Sequence, residues 1–554
     1  MNQNQNLIRE HLVALYGAPA GGLAWEKLVG LMAEFCRASP GGKDFALSEA
    51  DVLLITYADQ LREPDKTPLA TLADFTSTQL AGLVSGVHLL PFYPWSSDDG
   101  FSVKDFFAVD AVFGNWADIE RFRPGIDLMF DAVFNHMSAQ GEWFQKFLAD
   151  EPAFRDFFVT VAGNPDLSQV VRPRALPLLT EFQTARGPEK VWTTFSADQV
   201  DLNFKNPAVL MASIRALLFY VERGAKFIRL DAIAYLWKEI GTNCIHLPQT
   251  HRVIQLWRAV LDEVAPGVRL ITETNVPHSD NISYFGDGTN EAQLVYNFAL
   301  PPLVLHSLAT GNAEKLTRWA ASLRLPSDQT TFFNFLASHD GIGMNPARGI
   351  LSQAEIDALV ARATAHGGFV SYKHNSDGTK SPYELNITYF DALSNPAADE
   401  PLPTQVNRFL VAHAIMFALV GVPGIYFHSL FGSRNDRAGA ETSGIHRRIN
   451  RQKLSRAELD AELAEAGSLR AQVFAGLSGL LQQRRASRAF APSARQRLLE
   501  LDARVFAVVR ESADGAARML CLHNVSNETV VLPAGTEMSS LRTLAPYEVR
   551  WEAC

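Results

Sequence analysis

Three carboxylates and their escorts stand in four short segments: F-D-A-V-F-N-H ending at His136, F-I-R-L-D-A around Asp231, I-T-E-T around Glu273, and A-S-H-D around His339 and Asp340. Each set suits the end of a strand, and the residue types suit chemistry at an anomeric carbon. Retaining transfer of a sugar needs an ionised carboxylate as nucleophile and a second, protonated carboxyl as general acid, roughly 5 Å away. A third acid can stabilise the oxocarbenium-like charge of the transition state. Asp231 follows Arg229 by two positions, so the guanidinium is expected to keep that carboxylate ionised and lower its pKa, which makes Asp231 the nucleophile. Glu273 closes an apolar run; partial burial is expected to raise its pKa and fit it to act as acid and then base. Taken singly, each residue has a plainer reading. An R-x-D pair is more often a rim ion pair, a strand-end Glu a solvated charge, and His88 or His136 a satisfied core histidine. Their joint order on successive strands is what singles them out.

A parallel strand with its crossover helix takes about 30 residues or more, so Asp231 and Glu273 fit neighbouring strand ends and Asp340 an end two strands further on. Compact apolar runs predict eight strands, at about 52–58, 86–92, 127–133, 226–231, 268–273, 293–296, 332–337 and 424–427. Helical patterns lie between several of them. One apolar face carries Leu210, Ile214, Leu217, Leu218 and Val221, with Asn206-Pro207 as start and Gly224 as stop. The fold class expected is α/β: a (β/α)8 TIM barrel with inserted loop subdomains and a C-terminal antiparallel β domain. The segments are a helical piece at 1–48, barrel at 49–137, an insertion at 138–205, barrel at 206–342, a second insertion at 343–395, barrel at 396–485 and the β domain at 486–554. Two helices are expected in the first of these, from the spacing of Ile8, Leu12, Leu15 and Tyr16, then Leu28, Met32 and Phe35.

A chain of 554 residues, 47% hydrophobic, can bury a large core, and a net charge of −10 without a Lys/Arg stripe excludes a nucleic-acid footprint. Four scattered cysteines lack metal or disulfide spacing. The N-terminus has no signal-peptide pattern and no run approaches a membrane span, so a cytoplasmic location is expected. Asp131, Asn135 and His136 offer oxygen and nitrogen atoms but no calcium-type oxygen cluster in sequence. No metal and no cofactor are expected. The partners expected are a small α-glucoside and inorganic phosphate; the oligomeric state, a homodimer included, stays open.

In this order the segments resemble the signature regions of the α-amylase superfamily, glycoside hydrolase family thirteen. I-T-Y-A-D (55–59), H-L-L-P-F-Y-P-W-S-S-D-D-G-F-S-V (88–103), Q-V-D-L-N (199–203), F-L-A-S-H-D-G-I-G (335–343) and G-S-R-N-D (432–436) look like its sucrose-phosphorylase-type subfamily. That resemblance implies Asp231 as nucleophile, Glu273 as acid/base and Asp340 as transition-state stabiliser. It also implies that Asp59, His88, Arg229, His339 and Arg447 hold the glucosyl unit, that Tyr235 and Phe182 wall the pocket, and that calcium is not used.

Within the subfamily, S-P-Y-E-L-N (381–386) brings Tyr383 and Glu384 to the substrate side, with Glu384 where sucrose phosphorylases typically carry Gln. The N-terminal helical piece, R-P-R-A-L-P-L-L-T (172–180) and G-T-N-C-I-H-L (241–247) instead look like glucosylglycerate phosphorylases. The implied reaction moves glucosyl from 2-O-α-D-glucosyl-D-glycerate to phosphate by double displacement, giving α-D-glucose 1-phosphate. Arg172, Arg174, Lys380 and Arg434 are candidate cations for an anionic acceptor. Alternatives are a phosphorylase of sucrose, glucosylglycerol or sucrose 6'-phosphate, then a hydrolase or transglucosylase, then a silent sugar-binding protein.

Overall fold

The computed structural model describes residues 1–554 except 39–45, 175, 375–378 and 535–540. Eight parallel strands close into a barrel: β1 (Leu53–Thr56), β2 (Gly86–Leu89), β3 (Asp127–Ala132), β4 (Ala225–Leu230), β5 (Arg269–Thr272), β6 (Leu294–Tyr296), β7 (Thr331–Asn334) and β8 (Val422–Tyr426). They pair in chain order, and β8 closes on β1 with Leu53 opposite Gly424 and Ile55 opposite Tyr426. These are the eight runs the sequence predicts. Their apolar stretches are continuous because strands of a parallel sheet are covered on both faces. Gly424 is required where β8 meets β7: a Cβ there would lie 2.4 Å from the Phe333 ring.

Helix α1 (Gln3–Ala38) is interrupted at Gly17, whose φ of 75° and ψ of 165° divide it into two helical runs. It packs outside the barrel on α2 (Pro207–Glu222) and α3 (Pro248–Val264). Ile8, Leu12, Leu28, Met32 and Phe35 are buried there, and Tyr16 donates its hydroxyl to Phe204 O at 2.9 Å. The start of α2 follows its sequence signals, since Asn206 accepts the Ala208 N–H at 2.9 Å and Pro207 opens the first turn. Gly224, at φ 99°, turns the chain into β4.

Long excursions leave the C-terminal ends of β3 and β7, the face on which such barrels build their sites. After β3 come the antiparallel pair His136–Ser138 with Gln199–Asp201 and the hairpin Leu179–Thr184 with Gly187–Trp192. After β7, Ile342–Gly343, Lys380–Asn386 and Phe369–His374 make a three-stranded sheet. The chain ends in a four-stranded antiparallel sheet, Arg495–Leu499, Val505–Glu511, Arg518–Asn524 and Val549–Ala553. Fully buried Arg510 ties that sheet to the barrel by donating to Ala418 O at 2.8 Å.

Candidate active site

The site grows from a register match between neighbouring strands. Asp131 on β3 lies opposite Arg229 on β4, and Asp231, two residues beyond Arg229, points to the same side. Asp131 is fully buried and bonded on both sides, by Arg229 Nη1 and by His88 Nε2 at 2.7 Å. The same guanidinium reaches Asp231 Oδ1 at 2.8 Å and Glu273 Oε2 at 3.7 Å. The strand ladder runs one step further, with Asp231 N donating to Ala132 O and Glu273 N to Leu230 O. The turn after Asp231 places Ala232 at φ 49°, a left-handed conformation unusual without glycine, and aims its N–H at Glu273 Oε2, 3.1 Å away.

Burial pushes the Asp231 carboxyl well above its ordinary range against the pull of Arg229, and the charges of Glu273, Asp131 and Asp340 push it further. This corrects the sequence expectation of a lowered pKa: Arg229 is shared among three carboxyls, and its attraction does not offset the loss of water. Burial likewise raises Glu273, with Arg229 opposing. Two buried, interacting carboxyls titrate as a unit, and one proton on the pair is the favourable state. Asp340 behaves oppositely. Burial opposes its ionisation, but the charges of Arg447, at 2.8 Å from Oδ1, and Arg451 hold it well below the usual carboxylate range. His339 is pushed down to about 3 by burial, so it is neutral, and its ring stacks on Phe101 at 4.7 Å.

One cavity joins these groups. Asp231, Glu273, Asp340, His339, Tyr235, Tyr383, Glu384 and Arg447 all line it. Arg229 lies beneath it with a side chain 3% exposed, and His88 sits one layer further back against Asp131. Asp59 is not brought in. It lies beyond the end of β1 and turns to Lys453 at 2.6 Å and Arg62 at 2.8 Å, over a separate cavity shared with Tyr57 and Asp99. Phe182 does not line this cavity: its ring packs against Phe144 at 4.8 Å, and Phe195 lines the cavity with its ring 5.6 Å from Tyr235. Of the four candidate acceptor cations only Arg174 lines the cavity, 2.9 Å from Asp98. Arg172 is half-buried and bonds to Leu176 O, Lys380 is exposed, and Arg434 is held by Asp391 and Gln405, each at 2.7 Å.

Asp98, Phe101, Gln199 and Phe195 also line the cavity, and no role was read for them from sequence. Asp98 was visible only inside S-S-D-D-G-F. Its φ of 55° and that of Asp99, 48°, make the sharp turn that aims it inward. The oxygens considered for a metal are already engaged: Asn135 Oδ1 accepts from Lys238 Nζ at 2.6 Å, and Lys238 is paired at 2.5 Å with Asp201. Among the described residues no cluster of His, Cys, Asp and Glu could hold a metal ion.

Residues 81–342 match the model of the alpha amylase catalytic domain. The chain is 52% identical over 552 residues to a glucosylglycerate phosphorylase of Allomeiothermus silvanus, covering 98% of each. It is 48% identical over 557 residues to one of Escherichia coli, covering 98% of this chain and 99% of that protein. A sucrose phosphorylase of Agrobacterium vitis is 32% identical over 440 residues, covering 74% of this chain and 84% of that one. Among solved structures, sucrose 6F-phosphate phosphorylase from Thermoanaerobacter thermosaccharolyticum superposes with a TM-score of 0.77 at 24% identity, over 91% of this chain and 100% of that one.

Proposed function

Because the chain belongs to the alpha-amylase family and, within it, to the sucrose-phosphorylase-type subfamily, we infer that it is a retaining glycoside phosphorylase of 2-O-α-D-glucosyl-D-glycerate. It transfers the glucosyl unit to inorganic phosphate and releases glycerate and α-D-glucose 1-phosphate. The observation that carries the substrate is the end-to-end likeness to glucosylglycerate phosphorylases, against partial coverage by a sucrose phosphorylase.

In our reading the residues divide the work as follows. Arg229 occupies Asp231 Oδ1, which leaves Oδ2 to attack the anomeric carbon. The closer Arg229 contact favours ionised Asp231 and puts the shared proton on Glu273, the state the first displacement needs. Glu273 gives that proton to the departing glycerate oxygen as the β-glucosyl ester forms on Asp231. An oxygen of phosphate then attacks the same carbon from the opposite face; the ester bond to Asp231 breaks, and Glu273 takes up the proton that the attacking oxygen releases. Asp340, kept ionised by Arg447 and Arg451, faces the positive charge that develops on the ring in both steps. Phosphate and glycerate enter past Arg174, the candidate acceptor cation that lines the cavity. Among the described residues no helix is long and apolar enough to cross a membrane, and we assign the reaction to the cytoplasm.

Incubation with glucosylglycerate and phosphate should give one glucose 1-phosphate per glycerate released. If sucrose outperforms glucosylglycerate, the acceptor assignment fails. If no α-glucoside yields glucose 1-phosphate, the phosphorylase reading fails as a whole.

A further inference from the structure

We propose that Glu384 is the counter-charge that hands Arg447 to the anionic acceptor, taking a proton from solvent as it does so. The proposal rests on the phosphorylase reading above and adds how that site admits anions.

Glu384 projects from the strand Lys380–Asn386 with a side chain 3% exposed, and Arg447 grips it with two bonds, Nε to Oε2 at 3.0 Å and Nη2 to Oε1 at 2.6 Å. The third edge of that guanidinium, Nη1, meets Asp340 Oδ1 at 2.8 Å. Arg174, the other arginine of the cavity wall, is bonded to Asp98. Both lining guanidinium groups are therefore engaged before any substrate enters. Yet each half-reaction must seat an anion, glycerate in one and phosphate in the other. The wall brings five carboxyls, Asp98, Asp231, Glu273, Asp340 and Glu384, against those two arginines, so a further negative charge in this low-dielectric space is opposed unless a positive one comes with it.

Glu384 is the carboxyl free to change state. Asp231 and Glu273 are committed to the displacement, Asp340 must remain charged, and Asp98 is held below the usual range by Arg174, Arg447 and Arg451 despite its burial. Facing Glu384 are Arg447, Asp340 and Arg174, with Tyr383 beside it in the chain and Tyr235 and Glu273 beyond that ring. Across the sheet its partners are Ser371 and Gly343, which do not titrate. Burial already disfavours its charge, and Arg447 is the cation that opposes this most strongly. When the acceptor arrives, a solvent proton binds a Glu384 oxygen and the two N–H groups of Arg447 turn to the acceptor oxygens. The guanidinium stays charged throughout, and the proton's charge offsets that of the anion. Protonated Glu384 can then donate its O–H to the same ligand. A neutral acceptor triggers no such exchange, so Glu384 also discriminates against it.

Calorimetry of D-glycerate binding to the intact protein, in two buffers of different ionisation enthalpy at pH 7.5, tests this. Glycerate does not titrate there, and the wild type should take up close to one proton per glycerate bound while Glu384→Gln takes up close to none. A second measurement needs no variant: in the synthetic direction from glucose 1-phosphate, the ratio of kcat/KM for glycerate to that for neutral glycerol should fall towards about ten-fold per pH unit on the alkaline side. Taking the ratio cancels the ionisation of Glu273. Turnover with zero proton uptake, equal uptake in the variant, or a flat ratio overturns the proposal alone. Absence of any glucose 1-phosphate chemistry removes the phosphorylase reading beneath it.

Discussion

Arg229 Nη1 stands 2.8 Å from Asp231 Oδ1, whereas Nη2 of the same guanidinium approaches Glu273 no closer than 3.7 Å. In the proposed mechanism that asymmetry decides which of two buried carboxyls carries the shared proton. Both are raised by loss of water, Asp231 the more strongly, while the nearer cation pulls Asp231 towards its ionised form. On that proposal, the reach of one side chain on β4 separates nucleophile from acid.

Asp231→Asn should lower kcat for glucose 1-phosphate formation by at least about 10⁴-fold while leaving the melting temperature at or above that of the wild type. Both values come from one preparation, by phosphate-dependent assay and thermal melt. Turnover within tenfold of wild type would show that another group forms the ester.

Glu273→Gln separates acid catalysis from binding. Turnover of glucosylglycerate should fall by about 10²- to 10⁴-fold, whereas α-glucosyl fluoride, whose leaving group needs no proton, should suffer far less in the glucosylation step. The same variant has a stability signature. A carboxyl whose folded pKa is raised stabilises the fold below its unfolded pKa, and that contribution is lost as pH rises through the folded value. Glu273 is such a group and glutamine is not, so the melting temperature of the variant relative to wild type should climb from pH 5 to pH 8. Each unit of upward shift is worth about 1.4 kcal/mol. A difference constant across that range contradicts the raised pKa.

Arg174→Ala should raise KM for phosphate and glycerate by roughly ten-fold or more, the scale of one lost charge-assisted contact. Arg172→Ala should leave both within about two-fold, since it does not line the cavity and its guanidinium bonds to Leu176 O. Initial rates with each substrate varied in turn decide it, and equal effects of the two substitutions would dissociate the cavity wall from acceptor binding.

What was legible from sequence divides along the barrel itself. Asp231, Glu273 and Asp340 could be read because each follows an apolar run that can only be a strand, and strand ends of a closed barrel converge. Asp59 also follows an apolar run, yet the ion pair that turns it from this cavity comes from Lys453, 394 positions along the chain. Phe195 and Gln199 belong to the excursion after β3, whose course depends on packing rather than on local period. Phe182, in the same excursion and implied only by the family resemblance, packs into the aromatic cluster around Phe144. Asp98 required two consecutive left-handed residues, a geometry that no pattern in S-S-D-D-G-F announces.

Lys238 is another buried charge with a consequence for the site. Its ammonium, in a side chain 3% exposed, joins Asp201 at 2.5 Å and Asn135 at 2.6 Å, and so ties the turn after β4 to the start and the end of the excursion after β3. Burial lowers its pKa, and Asp201 opposes this by favouring the charged form. Removing one partner of such a pair leaves the other charge buried and unpaired, at about 3–5 kcal/mol. Lys238→Met should therefore lower the stability measured by urea unfolding by that order, although Asp201 keeps bonds from Thr194 N at 2.9 Å and Thr194 Oγ1 at 2.6 Å. The double variant Lys238→Met with Asp201→Asn removes the orphaned charge and should regain more than half of the loss. If the double variant is as unstable as the sum of the two single ones, the pair does not act as a unit. The excursion after β3 would then be held in place over the cavity by its other contacts.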